Sequence, residues 1–109
     1  MADRLLIWYL PDFNANGPVY YMDSDYTPTR LTIYARIPPH IGNMEFDILD
    51  DSVSIMKDSV TLPEGQSLDE DAEYLKSGVI IKAGSLVSLL VSETNGAKDV
   101  TIQLELEKA

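Results

Sequence analysis

Val79-Ile80-Ile81-Lys82-Ala83-Gly84 runs into Ser85-Leu86-Val87-Ser88-Leu89-Leu90-Val91-Ser92, then Glu93-Thr94-Asn95-Gly96-Ala97-Lys98-Asp99, then Val100-Thr101-Ile102-Gln103-Leu104-Glu105-Leu106-Glu107. The stretch reads as strand, tight turn, strand, hairpin loop, strand. Asn-Gly favours a type I′ turn, because both central residues of that turn need positive φ. With Asn95-Gly96 at the centre of a hairpin, Glu93 faces Lys98, Val91 faces Val100, Leu89 faces Ile102 and Val87 faces Leu104. This register predicts one apolar face, while Thr101, Gln103, Glu105 and Glu107 share the wet one. A slip of one residue would turn one strand's apolar set toward water.

The same pattern continues upstream. Leu5-Leu6-Ile7-Trp8-Tyr9-Leu10 is apolar on both faces and stops at Pro11-Asp12. An apolar edge strand invites pairing with other chains, so this segment is expected to be central in its sheet or covered by a neighbouring subunit. Val19-Tyr20-Tyr21-Met22 is a second strand candidate, with its two tyrosines on opposite faces. From Arg30 to Ile37, Leu31, Ile33, Ala35 and Ile37 alternate with Thr32, Tyr34 and Arg36 until Pro38-Pro39 ends the run. A second hairpin centred on Asp50-Asp51 would set Ile48 opposite Val53 and Phe46 opposite Ile55.

Residues 57–78 are the least regular. Ser67 with Glu70 three positions on has capping-box spacing. It predicts a short helix near 67–75 with Leu68, Ala72 and Leu75 on its inner face; an extended loop is the competing reading. Seven or eight short strands in a chain of 109 residues indicate an all-β, single-domain antiparallel β-sandwich over residues 1–109, jelly-roll-like or Ig-like.

Composition narrows the function classes. A 109-residue chain buries about 65% of its unfolded surface, and 45% of its residues are hydrophobic, enough for one core without metal or disulfide. The net charge of −10, from 18 acidic and 8 basic residues, opposes binding to nucleic-acid phosphates and to anionic membrane surfaces. Cysteine is absent, so redox compartment is not readable. The longest apolar run, Leu5–Leu10, is far short of a membrane span. The start Met1-Ala2-Asp3-Arg4 lacks a signal-peptide pattern, so synthesis in a cytoplasm is expected.

No catalytic constellation emerges. His40, the single histidine, sits in Ile37-Pro38-Pro39-His40-Ile41-Gly42 without a readable nucleophile and carboxylate partner, and is expected to be a loop residue. The acidic groups Asp23/Asp25, Asp47/Asp50/Asp51 and Asp69/Glu70/Asp71/Glu73 lack the glycine of a calcium-binding loop, with Pro28 and Tyr74 where it would stand. Turn chemistry explains them instead. Neither a cofactor nor a metal site is expected, nor a glycosidase-type carboxylate pair. Aromatic residues remain as candidate contacts, since Tyr and Trp concentrate at interfaces and stack on sugars. Trp8, Tyr9, Tyr20, Tyr21, Tyr26 and Tyr34 are the candidate interface set, with core packing the competing reading for Trp8 and Phe46. Contacts are further expected in the loops around 11–18, 23–29 and 57–78.

Three stretches carry a resemblance. Leu5-Leu6-Ile7-Trp8-Tyr9-Leu10-Pro11 looks like an opening strand, and Phe46-Asp47-Ile48-Leu49-Asp50-Asp51-Ser52-Val53-Ser54-Ile55 like a hairpin with an acidic turn. Ile81-Lys82-Ala83-Gly84-Ser85-Leu86-Val87 and Asp99-Val100-Thr101-Ile102-Gln103-Leu104-Glu105-Leu106 look like closing strands. Together they resemble the small β-sandwich virion proteins of tailed bacteriophages, such as capsid decoration, head-fibre and tail-tip proteins. The resemblance implies a non-enzymatic virion component made in the host cytoplasm. Its expected partners are itself, as a homo-oligomer with a trimer among the options, and the major capsid or tail protein. A receptor-facing module binding a surface glycan is the alternative. No binding residue carries over.

Overall fold

The computed structural model describes residues 3–11, 17–70 and 74–109. Nine strands follow one another: β1 (Arg4–Leu10), β2 (Tyr20–Tyr21), β3 (Tyr26–Ile37), β4 (Met44–Asp50), β5 (Val53–Ser54), β6 (Val60–Leu62), β7 (Leu68–Glu70), β8 (Leu86–Glu93) and β9 (Lys98–Lys108). They form two antiparallel sheets. One has four strands in the order β1-β9-β3-β7; the other runs β2-β8-β4-β5, with β6 also pairing β4. The all-β sandwich expected from the sequence is present. Its pairings are nested: β1 with β9, β2 with β8, β3 with β7, and β4 with β5 and β6. First and last strands meet, then second and second-last, as in a long hairpin wrapped into two sheets, which is jelly-roll winding.

Strict alternation places the core. Leu6, Trp8 and Leu10 of β1, Leu31, Ile33 and Ala35 of β3, and Val100, Ile102, Leu104 and Leu106 of β9 point inward from the four-stranded sheet. Phe46 and Ile48 of β4, Val60 and Leu62 of β6, and Val87 and Leu89 of β8 meet them from the other. Trp8 is wholly buried, and its indole N–H donates to the Pro18 carbonyl at 2.8 Å, so the one polar atom of the ring is satisfied. Gly17 lies against that ring: a Cβ there would come within 2.9 Å of Trp8 Cδ1, on a backbone at φ +72°.

Five expectations are corrected. The hairpin of β8 with β9 does not form. Asn95 and Gly96 do adopt positive φ, 47° and 87°, and Ala97 N–H donates to the Thr94 carbonyl at 3.0 Å, as a type I′ turn requires. The turn, however, carries the chain from one sheet to the other. β9 pairs β1 and β3, and β8 pairs β2 and β4. Val87 and Leu89 therefore enter the shared core from one sheet, and Ile102 and Leu104 from the other, rather than pairing along a ladder. Glu93 stands opposite Glu45, and Lys98 opposite Ile37. Upstream, Val79 to Ile81 form no strand; Ile81 makes a single bridge to Tyr26.

The second hairpin exists with its centre moved by one residue. Asp51 and Ser52, at φ 47° and 74°, are the turn pair, and Asp50 opposes Val53. The shift brings Ile55 N–H to the Ile48 carbonyl at 3.1 Å, with both side chains buried, and leaves Val53 exposed. The expected helix near 67–75 is replaced over its described part by strand β7 and a bridge from Leu75 to Met56; Ala72 lies outside the described residues. Ladder bonds on the open side of β3 outweigh a cap that serves only a short helix. Finally, β3 begins at Tyr26, so much of the expected 23–29 loop is strand, with a register shift between Pro28 and Arg30.

Candidate interaction site

β1 lies at the edge of its sheet, not at the centre. Its inward residues fill the core, which leaves Leu5, Ile7 and Tyr9 on the outer face, all exposed. The antiparallel register extends this stripe into rows. Tyr9 stands beside Thr101, Thr101 beside Tyr34, and Tyr34 beside Leu68. The next row is Ile7, Gln103, Thr32 and Glu70, and the third is Leu5, Glu105 and Arg30. Tyr9, Tyr34 and Leu68 are 53%, 49% and 51% exposed. Adjacent strands lie about 4.8 Å apart, so the rows make one continuous face.

Both arginines on this face lie beside carboxylates. Arg30 pairs with Glu70 and lies 3.8 Å from Glu105; Arg36 pairs with Asp99. Asp99 is the hub of one corner. Its backbone sits at φ 50° where β9 begins, and its N–H donates to the Pro11 carbonyl at 3.1 Å. The Tyr9 hydroxyl donates to Oδ1 at 2.5 Å, and Arg36 Nε donates to Oδ2 at 2.7 Å. The Tyr9 hydrogen bond first, and then Arg36, hold the Asp99 carboxyl below its ordinary value of 3.8. The same hydrogen bond raises the Tyr9 hydroxyl above 10.0. Tyr9 is thus fixed on the face as a hydrogen-bonded, protonated phenol.

The sheet edge beside it is closed. Tyr20, half-buried on β2, sets its ring edge-on to Trp8 at 5.4 Å. Its hydroxyl takes both backbone groups of Ile7, donating to the carbonyl and accepting from the N–H at 3.3 Å. A side chain of one sheet thereby occupies ladder positions on the edge of the other, a device that blunts strand addition.

The candidate aromatic set divides. Tyr9 and Tyr34 share the face just described. Tyr21 is exposed on the opposite sheet, beside Leu86. Trp8 and Tyr26 are buried and do not form a surface; Tyr26 donates to Asp23 Oδ1 at 2.8 Å, with Arg4 3.2 Å from the same oxygen. That contact with Tyr26 is the first cause of a lowered Asp23 carboxyl. Aromatic content alone missed Leu5, Ile7 and Leu68. The both-faced apolarity of residues 5–10 was the available signal for the first two. Leu68 was hidden by the helical reading, which turned it inward.

His40 is a loop residue whose ring packs on the Asn95-Gly96 turn: a Cβ on Gly96 would approach His40 Cε1 to 2.3 Å. Its backbone N–H donates to the Asn95 carbonyl at 2.9 Å, and its Nδ1 lies 3.4 Å from the Pro38 carbonyl. Four of the clustered carboxylates are engaged locally, whereas Asp50 Oδ1 is buried with no hydrogen-bond partner among the described residues, and Asp71 and Glu73 lie outside the described residues. Asp25 accepts from Ala83 N–H, Asp47 from Ser54 Oγ, Asp51 from Leu86 N–H and Asp69 from the Tyr74 hydroxyl. Among the described residues, no group of three or more His, Cys, Asp or Glu is arranged to hold a metal ion. No protein-family model and no curated protein matches the chain.

Proposed function

We propose that this protein is a non-enzymatic structural subunit of a bacteriophage particle, a decoration or other accessory protein that associates with itself and binds a capsid or tail lattice. The observation that carries the reading is that both sheets present large apolar side chains outward: Leu5, Ile7, Tyr9, Tyr34 and Leu68 on one, Tyr21, Leu86 and Leu90 on the other. Antiparallel sheets of a solitary sandwich keep a solvated outer face, and contiguous exposed apolar surface marks sites of association. Two such faces on opposite sides suit a subunit that must touch more than one neighbour. The phage setting rests on the sequence resemblance, and jelly-roll winding, frequent in capsid proteins, agrees with it without specifying it. The lone histidine held against a turn supports a role without chemistry of its own.

The test is co-sedimentation with purified phage particles, alongside light scattering of the isolated protein. Stoichiometric binding and a mass above that of one chain are expected. A strict monomer that leaves particles undecorated overturns the reading.

A second reading has one observation in its favour. Tyr9 and Tyr34 flank Thr101 in a single row, and paired exposed rings with a hydroxyl between them suit a sugar. A glycan array decides it. Binding lost in both Tyr9→Ala and Tyr34→Ala supports this reading, and an array blank for the wild type ends it.

A further inference from the structure

We infer that the Asn95-Gly96 turn is a spontaneous deamidation site, held in check by the loop at residues 38–43, and that its conversion weakens the junction between the two sheets. The chemistry belongs to the chain itself and does not depend on what the protein assembles with.

Asparagine followed by glycine carries the reaction in its own atoms. Gly96 has no Cβ to obstruct the approach of its nitrogen to the neighbouring side-chain amide. That nitrogen gives its proton to solvent hydroxide and attacks Asn95 Cγ. The new C–N bond closes a succinimide ring, the Cγ–Nδ2 bond breaks, and Nδ2 leaves as ammonia after taking a proton from water. A further water then opens the ring at either carbonyl, leaving aspartate or isoaspartate. Water is the only co-reactant, and nothing is oxidised or reduced. A second such pair, Asn16-Gly17, stands in the chain, but Asn16 lies outside the described residues.

The fold keeps the reacting groups of Asn95-Gly96 apart. Asn95 Nδ2 donates to the Asn43 carbonyl at 2.6 Å, so the group that must leave is tied to the loop. The Asn95 carbonyl accepts from His40 N–H at 2.9 Å and from Ile41 N–H at 3.3 Å, which fixes the peptide that joins it to Gly96. The His40 ring lies against Gly96, and a Cβ on Gly42 would stand 3.1 Å from Asn95 Nδ2. The loop is anchored on its far side as well. Glu64 N–H donates to Asn43 Oδ1 at 3.0 Å, and Gly65 N–H to the Pro39 carbonyl at 2.8 Å. Pro38 and Pro39 restrict the backbone where the loop begins. Reaction therefore waits on a local opening that lifts residues 40–43 from the turn.

Conversion removes the clamp. An aspartate at 95 offers only acceptors, so the Asn43 carbonyl loses its donor and faces another oxygen. One more negative charge joins a chain already at −10. Isoaspartate also adds a methylene to the main chain between β8 and β9, where the chain passes from one sheet to the other.

The experiment follows the full chain in mildly alkaline buffer, folded and in urea, by peptide mapping with mass spectrometry for aspartate and isoaspartate at residue 95. The variants are His40→Ala and Asn43→Ala, which remove the ring on Gly96 and the anchor to Glu64 and leave the turn's own residues intact. Circular dichroism and urea titration give their folding and stability, and if one fails to fold the other carries the comparison. Asn95 should convert at least about tenfold more slowly in the folded protein than in urea. Either variant should raise the folded rate at least about threefold beyond what its lost stability accounts for. Asn95→Asp, which stands for the product, should lower the folding equilibrium constant at least about fivefold. No conversion at residue 95 in urea overturns the site, with Asn16 in the same map as the check on conditions. Equal rates folded and in urea overturn the protection. Variant rates explained wholly by global stability overturn the role of the loop, and an Asn95→Asp chain as stable as wild type overturns the weakened junction.

Discussion

The two sheets are alike inward and different outward. Each buries every second residue of its longer strands in one shared core. Outward, the four-stranded sheet is built on two long strands, β3 of 12 residues and β9 of 11, with Arg30 and Arg36 set beside carboxylates and a row of Tyr9, Thr101, Tyr34 and Leu68. The five-stranded sheet is pieced from shorter strands, lacks any basic residue within them, and sets Glu45 directly opposite Glu93. Folding needs only the inward pattern, because burial of apolar surface is non-directional. The outward difference is not needed for that burial, and under the proposed function it belongs to the partners.

The largest expected effect tests what the sheets share. Trp8→Ala should cost about 3–5 kcal/mol, the range for removing a buried tryptophan, because Trp8 is wholly buried between the sheets and anchors the loop at Pro18. Urea denaturation checks it; a loss under about 1 kcal/mol would mean that the core is not continuous across the two sheets.

Next comes the junction between them. Gly96→Ala places a side chain at φ +87° and against the His40 ring, and should cost about 1–2 kcal/mol from backbone conformation. Adding His40→Ala should recover only the part due to contact. Full recovery in the double variant would show that the turn bears no backbone strain.

A gain is expected where the acidic sheet opposes like charges. Glu93→Lys turns the Glu45–Glu93 neighbours into an opposite-charge pair and should stabilise by about 0.2–1 kcal/mol, less at high salt. The same thermal or urea assay measures it, and no gain at low salt would mean that the two carboxylates are not close enough to repel.

The smallest effect concerns the Asp99 corner of the four-stranded sheet. Asp99 is held below 3.8 by Tyr9 and Arg36. Its contribution to stability is present in full above its unfolded value and is lost as pH falls through the lower folded one. Asp99→Asn should therefore be less stable than wild type at neutral pH, with the difference vanishing in strong acid. Spectrophotometric titration should also show Tyr9 ionising above 10.0 in the wild type and returning toward it in the variant. A difference that persists unchanged in acid would assign the loss to something other than the carboxylate.

Much of the site was legible before the fold was known. The alternation of residues 30–37 put Tyr34 on a polar face, and the both-faced apolarity of residues 5–10 announced a strand with something left to cover. What was not legible was neighbourhood. Tyr9 and Asp99 are distant in sequence and meet only because β1 lies beside β9. Leu68 joined the face only because β7 chose the edge of β3 over a helix. Trp8 and Tyr26 looked as available as Tyr9 until inward and outward could be told apart.

The sequence by itself determined which residues alternate, which side of each long strand is apolar, and where Asn95-Gly96 turns. These depend on the two-residue period of a strand and on the local φ preference of a turn. Only the tertiary structure decided which strands share a ladder. Val87, Leu89, Ile102 and Leu104 are buried equally well in a hairpin or across a core, so their pattern cannot choose between the two. The choice was made by the whole chain, where β1 and β3 flank β9, and β2 and β4 flank β8, giving every long strand two neighbours except the edge that Tyr20 caps.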